Sequence, residues 1–128
     1  MLEAVERRDR AALDVLVLSE PEFRDHVWPD LPAARPERNL PFSYVWGDLR
    51  QKSGQGLAQT LAEHGGRHYE FVRLEPTDGE SRYAHSVVHR RMAMVVKEAD
   101  GSEIRLRLFG SMLEKDGVFK VFSYVVDD

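Results

Sequence analysis

The sequence predicts an α+β domain: helices first, then an antiparallel β-sheet that they cover. Three observations carry this. Ahead of Gly65-Gly66 the apolar residues recur at helical spacing, and after it they alternate with period two. The alternating runs are bounded by "PTDGES", "ADGS" and "KDGV", each with an Asp-Gly step. Tight hairpin turns need positive φ, which such steps supply. A meander that follows helices leaves one sheet face for those helices to bury.

Taken in order, Leu2, Val5, Leu13, Leu16 and Val17 form the first helical stripe, with charged residues between them. "SEPEF" marks a new helix. Ser19 caps, Pro21 sits early, and Glu22 lies three residues on, the spacing of a reciprocal capping pair. This helix is expected to end before Pro29. "WPDLPAARPERNLP" has four prolines in fourteen residues, so it reads as an irregular crossing. "FSYVWGDLRQKSGQGLAQTLAEHGG" resumes a helix, with Leu57, Leu61 and His64 on one stripe and Gly65 as its stop. Gly54 and Gly56 each cost about 1 kcal/mol against alanine, so the helix is expected to begin near Leu57. Strand-like runs follow at about 67–75, 82–98, 103–115 and 118–126.

With 128 residues the chain is long enough for one domain, spanning 1–128, and too short for two ordinary ones. At 42 % apolar and 31 % charged residues it falls in the globular class rather than the disordered one. A net charge of −4 argues against a nucleic-acid footprint. The absence of cysteine excludes disulfides, thiolate zinc sites and cysteine nucleophiles, and it fits a reducing compartment. The start mixes acidic and basic residues, unlike a secretory signal. No window approaches the ~20 apolar residues of a membrane span. A cytoplasmic protein without membrane attachment is the expectation.

"YAHSVVHRRMAMVV" holds His85 and His89 four residues apart. On a helix that spacing grips zinc. On a strand it spans roughly 13 Å, beyond the reach of one ion with ligands at about 2 Å. No metal and no cofactor is expected. Alternation puts Ala84, Ser86, Val88, Arg90, Met92, Met94 and Val96 on one face. Tyr83, His85, Val87, His89, Arg91, Ala93 and Val95 take the other. A two-residue Asp116-Gly117 turn sets Lys115 beside Val118, Met112 beside Val121 and Gly110 beside Ser123. Leu106, Leu108, Gly110, Met112, Phe119 and Val121 then form the more apolar, helix-covered face. An odd-length "ADG" turn joins that face to Met92 and Met94, which is the favoured register. A two-residue Asp100-Gly101 turn would bring in His85, His89 and Arg91 instead.

In the favoured register Arg90 is the odd member of an apolar face, with small Gly110 and Ser123 beside it. It reads either as a pocket cation for a ligand carboxylate or as half of a structural ion pair with Asp48, Glu63 or Glu70. The opposite face carries Tyr83, His85, His89, Arg91, Phe109, Phe122 and Tyr124. So many rings on an open face call for a partner, and a homodimer through this face is the simplest one.

The ending "SMLEKDGVFKVFSYVVDD", with Phe119 as the aromatic after a tight charged turn, and the opening "EAVERRDRAALDVLV" resemble the nuclear transport factor 2-like, or SnoaL-like, superfamily. That resemblance implies a cone-shaped, cystatin-like fold, with N-terminal helices on a bent antiparallel sheet. It also implies a pocket between helices and concave sheet, and dimers through the sheet. Some such proteins are isomerases, dehydratases or cyclases and others are binding or assembly domains. The expected ligand-binding residues are Tyr44, Trp46, Asp48, Arg90, Met92 and Ser123. Phe42, Tyr44 and Trp46 either line the cone's mouth or plug it. The favoured reading is a small-molecule-binding domain for an apolar or carboxylate-bearing ligand. A homodimeric assembly domain comes second. An enzyme with Asp48 as base, assisted by His85 or His89, comes third, because no strand aspartate sits on the core face.

Overall fold

The computed structural model describes residues 1–31, 34–84 and 86–125. Helices come first and antiparallel strands after, in the predicted α+β order. The first stripe is divided between α1 (Leu2–Glu6) and α2 (Arg10–Val15). Arg8 adopts a positive φ of 55° at the break. Asp9 then caps α2, its carboxylate accepting the Ala12 N–H at 3.1 Å. α3 (Glu20–His26) begins with the expected reciprocal pair. Ser19 Oγ accepts the Glu22 N–H at 3.3 Å, and Glu22 Oε1 accepts the Ser19 N–H at 2.8 Å.

α4 (Phe42–His64) is 23 residues long and runs through both glycines, where the sequence placed its start near Leu57. Packing overrides propensity here. A Cβ at Gly56 would stand 1.9 Å from the Tyr124 carbonyl oxygen, so only glycine lets the C-terminal segment lie this close to the helix. Ser53 Oγ accepts the Tyr124 N–H at 3.0 Å and Thr60 Oγ1 donates to the Leu108 carbonyl at 3.1 Å. These bonds and the burial of Leu57 offset the glycine cost.

The strands are β1 (Glu70–Pro76), β2 (Glu80–Arg82), β3 (Val87–His89), β4 (Met92–Lys97), β5 (Glu103–Leu106), β6 (Met112–Lys115) and β7 (Val118–Val121). They pair antiparallel in two sheets, β1-β4-β5 and β2-β3-β6-β7. "PTDGES" is not the reversal the sequence suggested. β1 and β2 form one side of a long hairpin, and β3 and β4 form the other. Pro76 pairs with Met92, the Arg90 N–H reaches the Gly79 carbonyl at 2.9 Å, and Glu80 pairs with His89. The hairpin closes where the Tyr83 N–H meets the Ser86 carbonyl at 2.8 Å. Gly79 serves a kink within the strand, at φ 77°, opposite Arg91 at φ 48°.

Two turns follow the sequence. Lys115 pairs with Val118 around Asp116 (φ 52°) and Gly117 (φ 79°). Glu98 and Ser102 close a three-residue Ala99-Asp100-Gly101 turn, with Met94 beside Leu106. Beyond Arg90-Arg91 the pairing slips by one residue, so His89 stands beside Met112 rather than on the opposite face. The 82–98 run is therefore two strands, β3 and β4, with the parity reversed between them.

This slip, with the non-strand segment 107–111, dismantles the expected aromatic partner face. Phe109 and Tyr124 are buried, and the Tyr124 hydroxyl donates to the Leu13 carbonyl at 2.6 Å. Phe122 packs with Phe23. Arg91 is exposed, Tyr83 and His89 are half-buried, and His85 lies outside the described residues. The outer face of β1-β4-β5 is polar. Ala93 and Val95 are buried there beside Glu75 and Arg105, their cross-strand partners. Above them Arg105 pairs with Glu75 at 2.7 Å and Arg73 with Glu75 at 2.8 Å.

Two cores result. Met92, Met94, Val96, Leu106, Val121 and Tyr124 pack with α1, α2 and Leu57. Leu18, Phe23, Val27 and Leu113 pack with Trp28, Phe42, Trp46 and Phe122. Leu16–Leu18 covers the free edge of β7, with Leu18 N–H to Val121 O at 2.9 Å and Val121 N–H to Leu16 O at 3.0 Å.

Candidate functional site

The six residues singled out from sequence are dispersed. Tyr44 is exposed on α4. Trp46 lies in the aromatic core, its ring 5.3 Å from Phe23, with the Arg50 guanidinium 5.8 Å from its own ring. Asp48 stands on the solvent side of α4, 3.0 Å from Lys52 one turn on. Arg90 is exposed at the kink beside Gly79 rather than inside an apolar face, because the parity reverses there. Ser123 is buried, and its Oγ accepts the Val125 N–H at 3.3 Å. Met92 alone of the six borders an open apolar trough.

That trough runs along the inner face of the sheet. Its larger chamber, about 490 Å³, is lined by Leu74, Pro76, His89, Met92, Met112 and Phe119. An adjoining chamber of about 200 Å³ shares Leu74, Met112 and Phe119 and adds Met1, Leu16, Met94, Phe109 and Val121. It lies between the segment that follows α2 and the sheet. Local structure explains the opening. α1 and α2 are only five and six residues long, and Phe119 stays 53 % exposed and Leu74 37 % exposed. Four methionines line the walls, and thioether chains adjust to irregular shapes.

The polar end of the trough is His89. Its Nε2 lies 2.8 Å from Glu114 Oε1, and its Nδ1 lies 3.5 Å from Glu80 Oε2. The ring stacks on Phe119 at 6.0 Å. Glu80 on β2 is the cross-strand partner of His89 on β3, and Glu114 reaches His89 from β6, two residues along from Met112, the residue opposite His89. Glu80 Oε1 also accepts from Arg82 at 2.8 Å. Both imidazole nitrogens therefore face carboxylates. The Nε2–Glu114 contact is of hydrogen-bond length, while the Nδ1–Glu80 separation is looser.

Sequence reasoning passed over this constellation. Phe119 and Met112 were placed on the core face, but Leu74, Pro76 and His89 were not joined to them. Only the kink at Arg90-Arg91 brings His89 round. Among the described residues no group of three His, Cys, Asp or Glu side chains is placed to hold a metal ion. No helix among them is long and apolar enough to cross a membrane.

Comparison with known proteins leaves this geometry to stand by itself: no family model, no curated protein and no solved structure matches the chain.

Proposed function

We propose that this chain is a small-molecule-binding domain of nuclear transport factor 2-like architecture, with an apolar ligand seated in the trough. The observation that carries the reading is the trough itself. Exposed apolar surface is costly to leave in water, and this surface is concave, continuous and lined by adaptable methionines. Its volume lies within the roughly 300–1,000 Å³ of small-molecule sites. Helices ahead of a meander, with the cavity between the first helices and the inner sheet face, support the architecture. Neither chamber is lined by Lys or Arg, so the carboxylate-binding role once assigned to Arg90 finds no place here.

Nile red, a neutral dye that brightens in apolar sites, tests the reading. The native protein should raise its emission, and Phe119→Asp should abolish the rise while the far-ultraviolet circular dichroism is kept. Unchanged emission with Phe119→Asp would place the dye elsewhere and sink the proposal.

A second reading has its own observation. Phe71 pairs with Val96 and Leu74 with Met94, so both share the inner face, and Phe71 is 57 % exposed. A second copy of the chain seated on Phe71, Leu74 and Phe119 would bury them all. Sedimentation that gives a dimer in the native protein and a monomer in Phe119→Asp favours this assembly role.

A further inference from the structure

From the make-up of the trough walls we propose a modification site: Met112 is an oxidisable position, and its conversion to the sulfoxide releases the ligand. The proposal rests on the ligand-binding reading above and adds the regulation of that site. The chain has four methionines and no cysteine. All four methionines line the trough, Met92 and Met112 in the larger chamber and Met1, Met94 and Met112 in the smaller one. Every side-chain sulfur of the protein is thus gathered in one place. Met112 is the methionine that belongs to both chambers. It is half-buried, whereas Met92 and Met94 are only 8 % and 6 % exposed. Susceptibility of sulfur to oxidation follows exposure, so an oxidant entering the larger chamber reacts at Met112 before Met92.

The oxidant is a peroxide. The thioether sulfur attacks one peroxide oxygen, an S–O bond forms and the O–O bond breaks. Sulfur loses two electrons, the peroxide is reduced, and its second oxygen leaves as water. The product is a polar sulfoxide in place of an apolar, flexible chain. Its oxygen is a new acceptor in a wall that has almost nothing to give it. Leu74, Pro76, Met92 and Phe119 carry no side-chain donor, and the Nε2 of His89 already lies 2.8 Å from Glu114 Oε1. Covering that oxygen with an apolar ligand removes its water without replacing the hydrogen bond. Turning the sulfoxide out to water instead takes away the wall shared by both chambers. Either course weakens an apolar ligand. The reverse also holds: a ligand in the trough shields Met112 and slows its oxidation. With no thiol in the chain, no disulfide or sulfenic acid forms ahead of it.

The native protein, treated with dilute hydrogen peroxide, is followed by peptide mass mapping and by Nile red titration. Met112 should gain its oxygen before Met92 and Met94, and bound Nile red should slow that step. Oxidation at Met112 should weaken the dye about tenfold with the far-ultraviolet circular dichroism kept. The two methionine sulfoxide reductases, one for each epimer, should restore the affinity. Met112→Leu, given the same peroxide dose, should hold its affinity within about twofold. The mapping and the reductase step use the native chain, so they decide the matter even if the variant misfolds. Oxidation of Met112 that leaves dye affinity unchanged overturns the proposal and leaves the trough reading standing. So does a Met112 that reacts only after Met92 and Met94, or a Met112→Leu protein that loses affinity as the native one does. Native, unoxidised protein that fails to brighten the dye removes the ligand-binding reading and this proposal with it.

Discussion

The β6–β7 hairpin faces two cores that share its backbone and differ in every other respect. Leu113 and Phe122 point into a closed aromatic cluster, while Met112 and Val121 point into the open trough. α3, the 3-10 turn Trp28–Asp30 and the first half of α4 supply the closed side with Phe23, Trp28, Phe42 and Trp46, whose rings interlock around Phe23 at 5.3–6.4 Å. Short α1 and α2 supply the other side and leave Phe71, Leu74 and Phe119 exposed. The lesson is that apolar content does not make a core. Rigid rings carried by covering helices fill space, and flexible side chains under incomplete cover leave a binding surface.

The largest expected effect breaks the closed side. Phe23 is fully buried, so Phe23→Ala should cost about 3–5 kcal/mol in denaturant unfolding. Phe119→Ala, at a ring of similar size that is half in water, should cost less than about 1 kcal/mol. Equal costs would mean that the trough is covered in solution, which would point to the dimer.

How much of this was legible in the sequence depends on how local the signal is. The Ser19/Glu22 cap and the Asp116-Gly117 turn are written in adjacent residues, and both formed as read. The odd Ala99-Asp100-Gly101 turn was inferred from matching faces, and it too formed. α4 was misplaced because the reason for Gly56, the close approach of the C-terminal segment, lies 68 residues away at Tyr124. The kink at Arg90-Arg91 was invisible because it puts an arginine, not a glycine, at positive φ. That single slip hid His89 from the trough, and it moved Arg90 from core to solvent. The partner face of seven residues failed for the same reason and because Phe109 and Tyr124 follow the non-strand segment inward. So the class of fold was readable, while the site depended on an irregularity without a side-chain signature.

A middle-sized effect concerns how the trough-bearing core is sealed at its far end. Tyr124→Phe deletes the 2.6 Å bond to the Leu13 carbonyl and should cost about 1–3 kcal/mol at neutral pH. Burial, reinforced by the negative charge of Asp14, pushes the phenol well above its ordinary value of about 10. The folded protein thus keeps this proton where the unfolded chain loses it. The stabilisation is complete below about pH 10 and is lost as pH rises further. Urea midpoints taken across that range should fall more steeply for the native protein than for Tyr124→Phe. Parallel curves would mean that the hydroxyl is not sealed from water.

The smallest effect compares the two faces residue against residue. Met112 and Leu113 are neighbours on β6, one facing the trough and the other the aromatic cluster. Methionine and leucine are close in volume, so an exchange tests slack rather than size. In the trough, Met112→Leu displaces nothing, because the space beside it is open. Its cost should stay within about 0.5 kcal/mol. In the cluster, the longer chain of Leu113→Met must find room among rings already in contact, and about 1 kcal/mol is expected. The order of the two costs carries the argument more than their size. If Met112→Leu were the more damaging exchange, the methionine would be a tightly packed core residue, and the trough would close around it when the protein is in solution.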